Sequence, residues 1–525
     1  MKEASFSDHG GVRIAGYLHH PQRGCLRGKD LADHFAACAD ERDFSRCLKE
    51  ANGCFAVIIQ RPDLKLAAVD KLRSIPLFYN AAGDLSDKSE SLARLTLEAV
   101  KGSPPELLAE FLITGYVTGS DTLHPLLKQI PAGYYLRLIP GQAAELAQYY
   151  RYEHNSIAKV SIPELIEQQH ALHLAIIKDT ISSLDGRPVV IPLSGGYDSR
   201  LLAALFSELK YDRIITFTYD SPRHLETLIS QRVAKHLQLP WMFFEHSHKS
   251  WYEAFFSDLR RSYYKCSVNA SSSVHVQDWA AVRDMREKKL IPSDSVFIPG
   301  HSADFLQGSH LNAAFGRSGS FSRDELIASI MAKHYRLWPD HESADTETFR
   351  ARIQSIINAP ESMSAERAAD FFEYWDLQER QAKFIVNSLR VYEFFGYDWR
   401  IPLWDQRLMD YWAAIPLNLR LGRKLWLHYA EKHLRIPVPV FTNPPFTQRV
   451  IDKILRIAYG ELRNVRYGRF APYQNFRQYA GETVSRYLRH DLHYPSFVKK
   501  DQALIRCDMN ALQALIALWE LNNEQ

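Results

Sequence analysis

A chain of 525 residues is longer than one ordinary hydrophobic core organises, so two or more domains are expected. With 46% hydrophobic and 24% charged residues, the composition excludes a disordered chain. The net charge of +3, from 64 basic and 61 acidic residues, is too small to imply a nucleic-acid or membrane-surface partner.

The opening stretch MKEASFSDHGGVRIAG has no apolar core of signal-peptide length. No later run of about 18 apolar residues would span a bilayer, so a cytoplasmic location is expected. Short alternating or apolar runs broken by turns follow: VRIAGYL, CFAVIIQ, LKLAAVD, IPLFYN and GYYLRLIPG. They predict a β-rich N-terminal domain with few helices. Cys25, Cys38, Cys47, Cys54, Cys266 and Cys507 are scattered without metal-ligand spacing, as expected of reduced thiols. A domain boundary is expected between Glu153 and Ala158, dividing the chain into residues 1–155 and 156–525. From Ser161 to Leu184 the pattern is helical, opened by a Ser cap, then Pro163 and Glu164.

From Arg187 strands and helices alternate: PVVIPLS, SRLLAALFSELK, RIITFTY, LETLISQRVAKHL, WMFFEHS and, after a helical insert, DSVFIPG. That rhythm predicts a parallel sheet of doubly wound α/β type. Beyond Phe321 the sequence reads as helical, expected to pack on the sheet's carboxyl edge and close a cleft there. The basic cluster from Arg463 to Phe470 reads as solvated surface.

Between the first strand and helix of this alternation lies VVIPLSGGYDSRLL, Val189 to Leu202. Two glycines after a buried strand let the backbone turn sharply and gather N–H groups at one point, where a helix adds its positive end. Ser194 and Ser199 supply hydroxyls, and Asp198 can hold a divalent cation. A phosphate or pyrophosphate group with Mg²⁺ suits this loop. The Lys of a Walker phosphate loop is absent, and the string resembles the ATP pyrophosphatase class, in which ATP is cut between its α- and β-phosphates. FIPGHSADFLQG, Phe297 to Gly308, is expected to bring Asp304 beside Asp198 as a second metal ligand.

Three further stretches narrow the resemblance: Ala51–Asn80, Phe111–Leu138 and Trp399–Leu421, the last reading WRIPLWDQRLMDYWAAIPLNLRL. In this order they resemble the asparagine synthetase family over most of the chain. The resemblance implies an N-terminal glutaminase-type αββα domain followed by an α/β synthetase domain. It also implies the reaction: AMP is joined to a carboxylate with release of pyrophosphate, and an amine or ammonia then attacks to form an amide. By the same resemblance Pro192, Leu193, Ser194, Gly195, Gly196, Thr218, Tyr219, Pro299 and Gly300 line the nucleotide pocket. The cofactors expected are ATP and Mg²⁺, and a homodimer through the N-terminal domain is consistent with the family.

The chain departs from that family at several points. Glutaminase members place Cys directly after the initiator Met, where this sequence has Lys2, so no glutamine hydrolysis is expected. Ammonia, a separate glutaminase or an amine-bearing substrate would supply the nitrogen. The family's acceptor-side Lys has no counterpart in Val438–Arg449, which offers Thr442, Asn443 and Arg449. His301 and Phe305 replace family acids. His301 is a candidate for proton transfer, Tyr392 and Glu393 for a Tyr/Glu base as in β-lactam-forming relatives, and Arg449 for acceptor-side catalysis. Arg380, Lys383, Arg390, Glu393 and Arg400 recur at near-helical spacing and are expected either to orient an anionic or sugar substrate or to form surface ion pairs. Aspartate is therefore not the expected acceptor. By resemblance the variant motifs point to amidation of a sugar uronic acid in surface-polysaccharide synthesis, with intramolecular cyclisation or a nucleotide-binding pseudoenzyme as the alternatives.

Overall fold

In the computed structural model, which describes residues 6–154, 160–220, 222, 225–245, 257–301, 303–337, 346–434 and 436, the N-terminal alternation becomes sheet. Strands β1 (Ser7–His9), β2 (Val12–His20), β3 (Gly24–Arg27), β4 (Gly53–Gln60) and β5 (Lys65–Val69) come first. Strands β6 (Phe78–Asn80), β7 (Leu85–Ser86) and β8 (Leu127–Gln129) form a separate three-stranded sheet. Strands β9 (Tyr134–Leu138) and β10 (Glu145–Gln148) return to the first. That sheet has seven strands, all antiparallel, in the order β1-β2-β4-β5-β9-β10 with β3 against β2.

The two-residue period of β4 divides its side chains between two cores. Phe55, Val57 and Ile59 pack with Leu31, Phe35, Phe44 and Leu48 of two helices, Gly28–Ala36 and Glu41–Glu50. Cys54, Ala56 and Ile58 face the other way, into a core that takes in Tyr79 and Leu85 of the small sheet and continues to Trp399 and Ile401. This half is more helical than the expected few helices. The pattern is faint in Glu41–Glu50, where only Phe44 and Leu48 are buried and Asp40 caps the helix by accepting the Asp43 amide at 2.8 Å.

The long helix Ile162–Ser182 begins with a full capping box between Ser161 and Glu164 and carries Pro163 in its first turn. The boundary expected at 155/156 falls among residues outside those described. Strands β11 (Val189–Pro192), β12 (Ile214–Asp220), β13 (Trp241–Glu245) and β14 (Val296–Phe297) follow. After β14 the chain is mainly helical, interrupted by the antiparallel pair β15 (Ser320–Ser322) and β16 (Ser362–Ser364) and by β17 (Asp398–Trp399). Strand β17 completes a five-stranded, fully parallel sheet of order β13-β12-β11-β14-β17. The protein is thus mixed α/β, with an N-terminal sheet, a parallel sheet and a helical C-terminal half. No described helix is long and apolar enough to cross a membrane.

The helix entered at Ala365 changes pitch. Ala365–Trp375 is α-helical, Asp376–Ile385 is π-helical and Val386–Leu389 is a 3₁₀ turn. Side chains spaced for one face of an α-helix therefore leave in different directions.

Candidate active site

The carboxyl ends of β11, β12 and β14 bring three sequence-predicted loops to one edge of the parallel sheet. Leu193 donates its amide to the Phe217 carbonyl at 2.8 Å, prolonging the pairing of β11 with β12. The chain then turns into helix Tyr197–Glu208, whose N-cap is Gly196. Three hydrogen bonds shape the turn: the Ser194 amide donates to Ser199 Oγ at 3.0 Å, the two hydroxyls lie 3.0 Å apart, and the Gly196 amide donates to Ser194 Oγ at 3.2 Å. Both serines are thus part of the loop's own scaffold. Thr218 ties the loop down from the next strand, its hydroxyl donating to the Leu193 carbonyl at 2.6 Å and accepting from the Trp241 indole at 3.1 Å.

Pro299 and Gly300, which follow β14, cross directly over this turn. A Cβ on Gly300 would lie 2.7 Å from the Ser199 amide nitrogen and 3.1 Å from Asp198 C, so only glycine allows the approach. This crossing delivers Asp304 to Asp198: the Asp304 amide donates to Asp198 Oδ2 at 3.1 Å. Burial and the adjacent Asp304 push the Asp198 carboxyl up to about 7. Burial also opposes ionisation of Asp304, but His310, Ser309 and Arg423 outweigh it and hold Asp304 well below the usual carboxylate range. Without a cation one of the pair retains its proton towards neutrality. Asp198 Oδ1 is buried and has no partner.

That orphaned oxygen and the converging acids fit a hard divalent cation. Among the described residues no group of three or more His, Cys, Asp and Glu is placed to hold a metal. The remaining coordination would come from phosphate oxygens and water.

A chain of polar groups behind Asp304 was not legible in the sequence. Ser309 donates to Asp304 Oδ2 at 2.8 Å, and His310 Nε2 lies 3.6 Å from the same oxygen. His310 Nδ1 is 2.6 Å from Asp376 Oδ2, and Asp376 accepts from Gln381 at 2.9 Å within the π-helical segment. Burial disfavours charge on His310, but Asp376 and Asp304 overcome it and raise the imidazole to about 9. Arg423 was likewise missed. Its guanidinium acts electrostatically on both Asp198 and Asp304, donates to Gln307 Oε1 and lies over the Tyr197 ring at 5.6 Å. Its left-handed backbone, φ +60°, follows Gly422 at φ +65°.

Residues 181–436 match the family model described as asparagine synthase. This region of the chain is an asparagine synthase domain. It takes in β11 to β17, both carboxylates and Arg423, the parts from which the site is built. Curated protein sequences give no match. Among solved structures the chain is similar to the glutamine phosphoribosylpyrophosphate amidotransferase from B. subtilis complexed with ADP and GMP. The two are 9% identical, with 56% of this chain and 63% of that one covered, at a TM-score of 0.19. A second, the allosteric regulatory enzyme of purine biosynthesis, is 10% identical over 57% of each chain, at a TM-score of 0.18. The chain spans less than two thirds of either, and likeness this slight carries no functional inference.

The remaining candidates do not gather around Asp198 and Asp304 as one group. His301 follows Gly300, with Nε2 3.0 Å from Ser388 Oγ and Nδ1 buried without a partner. Burial and nearby His275 push it down to about 3, so it is neutral at pH 7 and a poor proton acceptor there. Tyr392 and Glu393 do not form the expected Tyr/Glu pair. The Tyr392 hydroxyl donates to Asp278 at 2.7 Å and its ring stacks on Phe297, whereas Glu393 accepts from the Trp399 indole at 2.9 Å and pairs with Arg390 at 2.8 Å. Neighbours on a helix point about 100° apart.

The Arg380–Arg400 series is dispersed by the change in pitch. Lys383 is buried against Glu379 at 2.5 Å and donates to the Val117 and Gly119 carbonyls at 2.8 Å each, and Arg390 donates to the Ser74 carbonyl at 2.7 Å. Arg400 packs under the Tyr17 ring. Arg449, Thr442 and Asn443 lie outside the described residues.

Proposed function

We propose that this protein is an ATP-dependent, AMP-forming amide ligase acting on a carboxylate other than aspartate. The observation that carries this reading is the Ser194–Ser199 loop locked against Gly300, with Asp198 and Asp304 converging beside it, inside a domain of asparagine synthase type. Loop amides and the start of helix Tyr197–Glu208 would receive the β- and γ-phosphates of ATP. Asp198 and Asp304 would hold Mg²⁺, which supplies charge neutralisation to the departing pyrophosphate. Arg423 would add a fixed positive charge at the same edge, without reorganisation during the reaction. Pro192, Leu193, Thr218, Tyr219 and Pro299 would wall the nucleotide, chiefly through backbone groups. The Thr218 hydroxyl is already engaged by the fold.

A carboxylate becomes a competent electrophile only when one oxygen can leave as AMP, so nitrogen must arrive after adenylation. Cys38 and Cys54 are poor candidates to release it from glutamine. Both are pushed up to about 12, chiefly by burial, and stay protonated at neutral pH. Free ammonia or a separate glutaminase is the proposed donor, and a sugar uronic acid is the proposed acceptor class.

Pyrophosphate release measured over a panel of uronic acids and other carboxylates, with ammonia or glutamine, tests this. Turnover with ammonia supports amidation. Turnover without added amine would replace it with intramolecular ring closure, and Mg–ATP binding with no pyrophosphate release from any carboxylate would leave a nucleotide-binding pseudoenzyme.

A further inference from the structure

Cys38 and Cys47 stand nine residues apart in the chain and meet in space, sulfur to sulfur, at 3.2 Å. Cys38 lies in the turn that joins helix Gly28–Ala36 to helix Glu41–Glu50, and Cys47 lies in the second helix. The turn is anchored on both sides. The Arg61 guanidinium donates to the Cys38 carbonyl and, at 2.7 Å, to the Ala39 carbonyl, while Asp40 caps the helix that follows.

Both cysteines are free thiols, and they differ in access. Cys38 is 3% exposed and belongs to the core under the two helices, with Leu31, Phe35, Phe44 and Leu48. Cys47 is half-buried at the margin of that core. A disulfide bond is about 2.05 Å long, so closure brings the sulfurs together by roughly 1.1 Å, within reach of rotation about the two Cα–Cβ bonds. The second helix is lightly held. Its buried residues are Phe44 and Leu48, and Glu41 ties it to β9 through the Tyr135 hydroxyl at 2.8 Å and Arg137 at 3.1 Å. A covalent link from turn to helix would restrain its local opening.

We propose that Cys38 and Cys47 are an oxidation site, an accessible thiol beside a buried resolving thiol, which closes to an intrachain disulfide and staples helix Glu41–Glu50 to the preceding turn. The oxidant is a small-molecule disulfide. Cys47 loses its proton and attacks one sulfur of that molecule, forming a mixed disulfide and releasing the other half as a thiol. The Cys38 sulfur then attacks Cys47 Sγ. The Cys38–Cys47 bond forms, the bond to the small molecule breaks, and the Cys38 proton leaves with the departing thiol. Two electrons and two protons thus pass to the small disulfide, which ends as two thiols. Burial and the neighbouring Cys47 push the Cys38 thiol up to about 12, so closure is the slower step and quickens as pH rises. Contact with the target sulfur offsets the scarcity of thiolate. The chemistry uses no residue of the proposed nucleotide loop and stands apart from the ligase reading.

Incubation of the full chain with oxidised glutathione at mildly alkaline pH, then alkylation and peptide mapping without reductant, detects the link. The expected product is a peptide pair joined through Cys38 and Cys47 and separated again by dithiothreitol. Hydrogen exchange of the Glu41–Glu50 amides is expected to slow at least about tenfold in the oxidised chain. Cys38→Ala should stop at a glutathione adduct on Cys47, and Cys47→Ser should form no link to Cys38. A lasting glutathione adduct on Cys47 of the wild type, links that join other cysteines in preference to this pair, or no reaction at either thiol would overturn the proposal. A Cys38–Cys47 link that leaves exchange in the helix unchanged would overturn the staple.

Discussion

Replacing Gly300 by alanine isolates the contact on which the proposed nucleotide loop depends. The added Cβ would sit 2.7 Å from the Ser199 amide nitrogen and 3.1 Å from both Asp198 C and Ser199 Cα. Comfortable separations for such atoms are about 3.5 Å, so the backbone must open by roughly 0.4–0.8 Å. All three contacts are main chain, and no rotamer change relieves them. The displaced residue carries the hydroxyl that accepts the Ser194 amide at 3.0 Å, and its neighbour carries the Asp198 carboxylate. Overpacking of this size costs about 1–3 kcal/mol of stability. A shift approaching 1 Å in a positioning element costs up to about 100-fold in function.

Calorimetric titration with Mg²⁺ and a non-cleavable α,β-methylene ATP analogue reads the affinity, and a melting curve reads the fold. The variant is expected to remain folded, melt earlier and bind the analogue about 10–100-fold more weakly. Gly102→Ala, whose Cβ meets nothing nearer than the Ala99 carbonyl at 3.4 Å, is the matched control and should change neither reading. Wild-type affinity in a folded Gly300→Ala protein would refute the reasoning, because the loop would then tolerate the displacement.

Asp198→Ala is expected to abolish pyrophosphate release while leaving the melting temperature near or above that of the metal-free wild type, since it removes a buried carboxyl crowded by Asp304; a collapsed fold would count against a cleft site. Tyr392→Phe removes the donor to buried Asp278 and should lower stability by about 1–3 kcal/mol while sparing the reaction, which separates a structural hydroxyl from a catalytic one. Burial raises the folded Asp278 carboxyl from 3.8 to about 6, so its contribution is present below about pH 4 and lost as pH rises through 6. An Asp278→Asn variant should flatten that window in pH-dependent melting. Lys383→Met strands Glu379 in the core and should cost about 3–5 kcal/mol, with Glu379→Gln in the same chain recovering part of it in denaturant titrations.

Local signals in the sequence carried far. Ser161 and Glu164 announced a helix start that the structure reproduces as a capping box, and the apolar runs at Val189, Ile214, Trp241 and Val296 became adjacent parallel strands. The meeting of Asp198 with Asp304 was legible because each follows a strand of that sheet by a short loop. Elements that depend on distant packing were not. Helix Glu41–Glu50 shows too few apolar positions to announce itself, and IPLFYN yields only the short strand Phe78–Asn80. The Arg380–Arg400 series suggested one face because α-helical spacing was assumed, whereas buried Asp376, Gln381 and Lys383 sit in a π-helical segment. His310 and Arg423 reach the site through tertiary contacts alone.

Isotope exchange between labelled pyrophosphate and ATP, with Mg²⁺ and a panel of uronic acids, asks most directly whether the loop supports cleavage between the α- and β-phosphates. Acceptor-dependent exchange, with AMP as the nucleotide product once ammonia is added, is the predicted result. Formation of ADP and inorganic phosphate would contradict it.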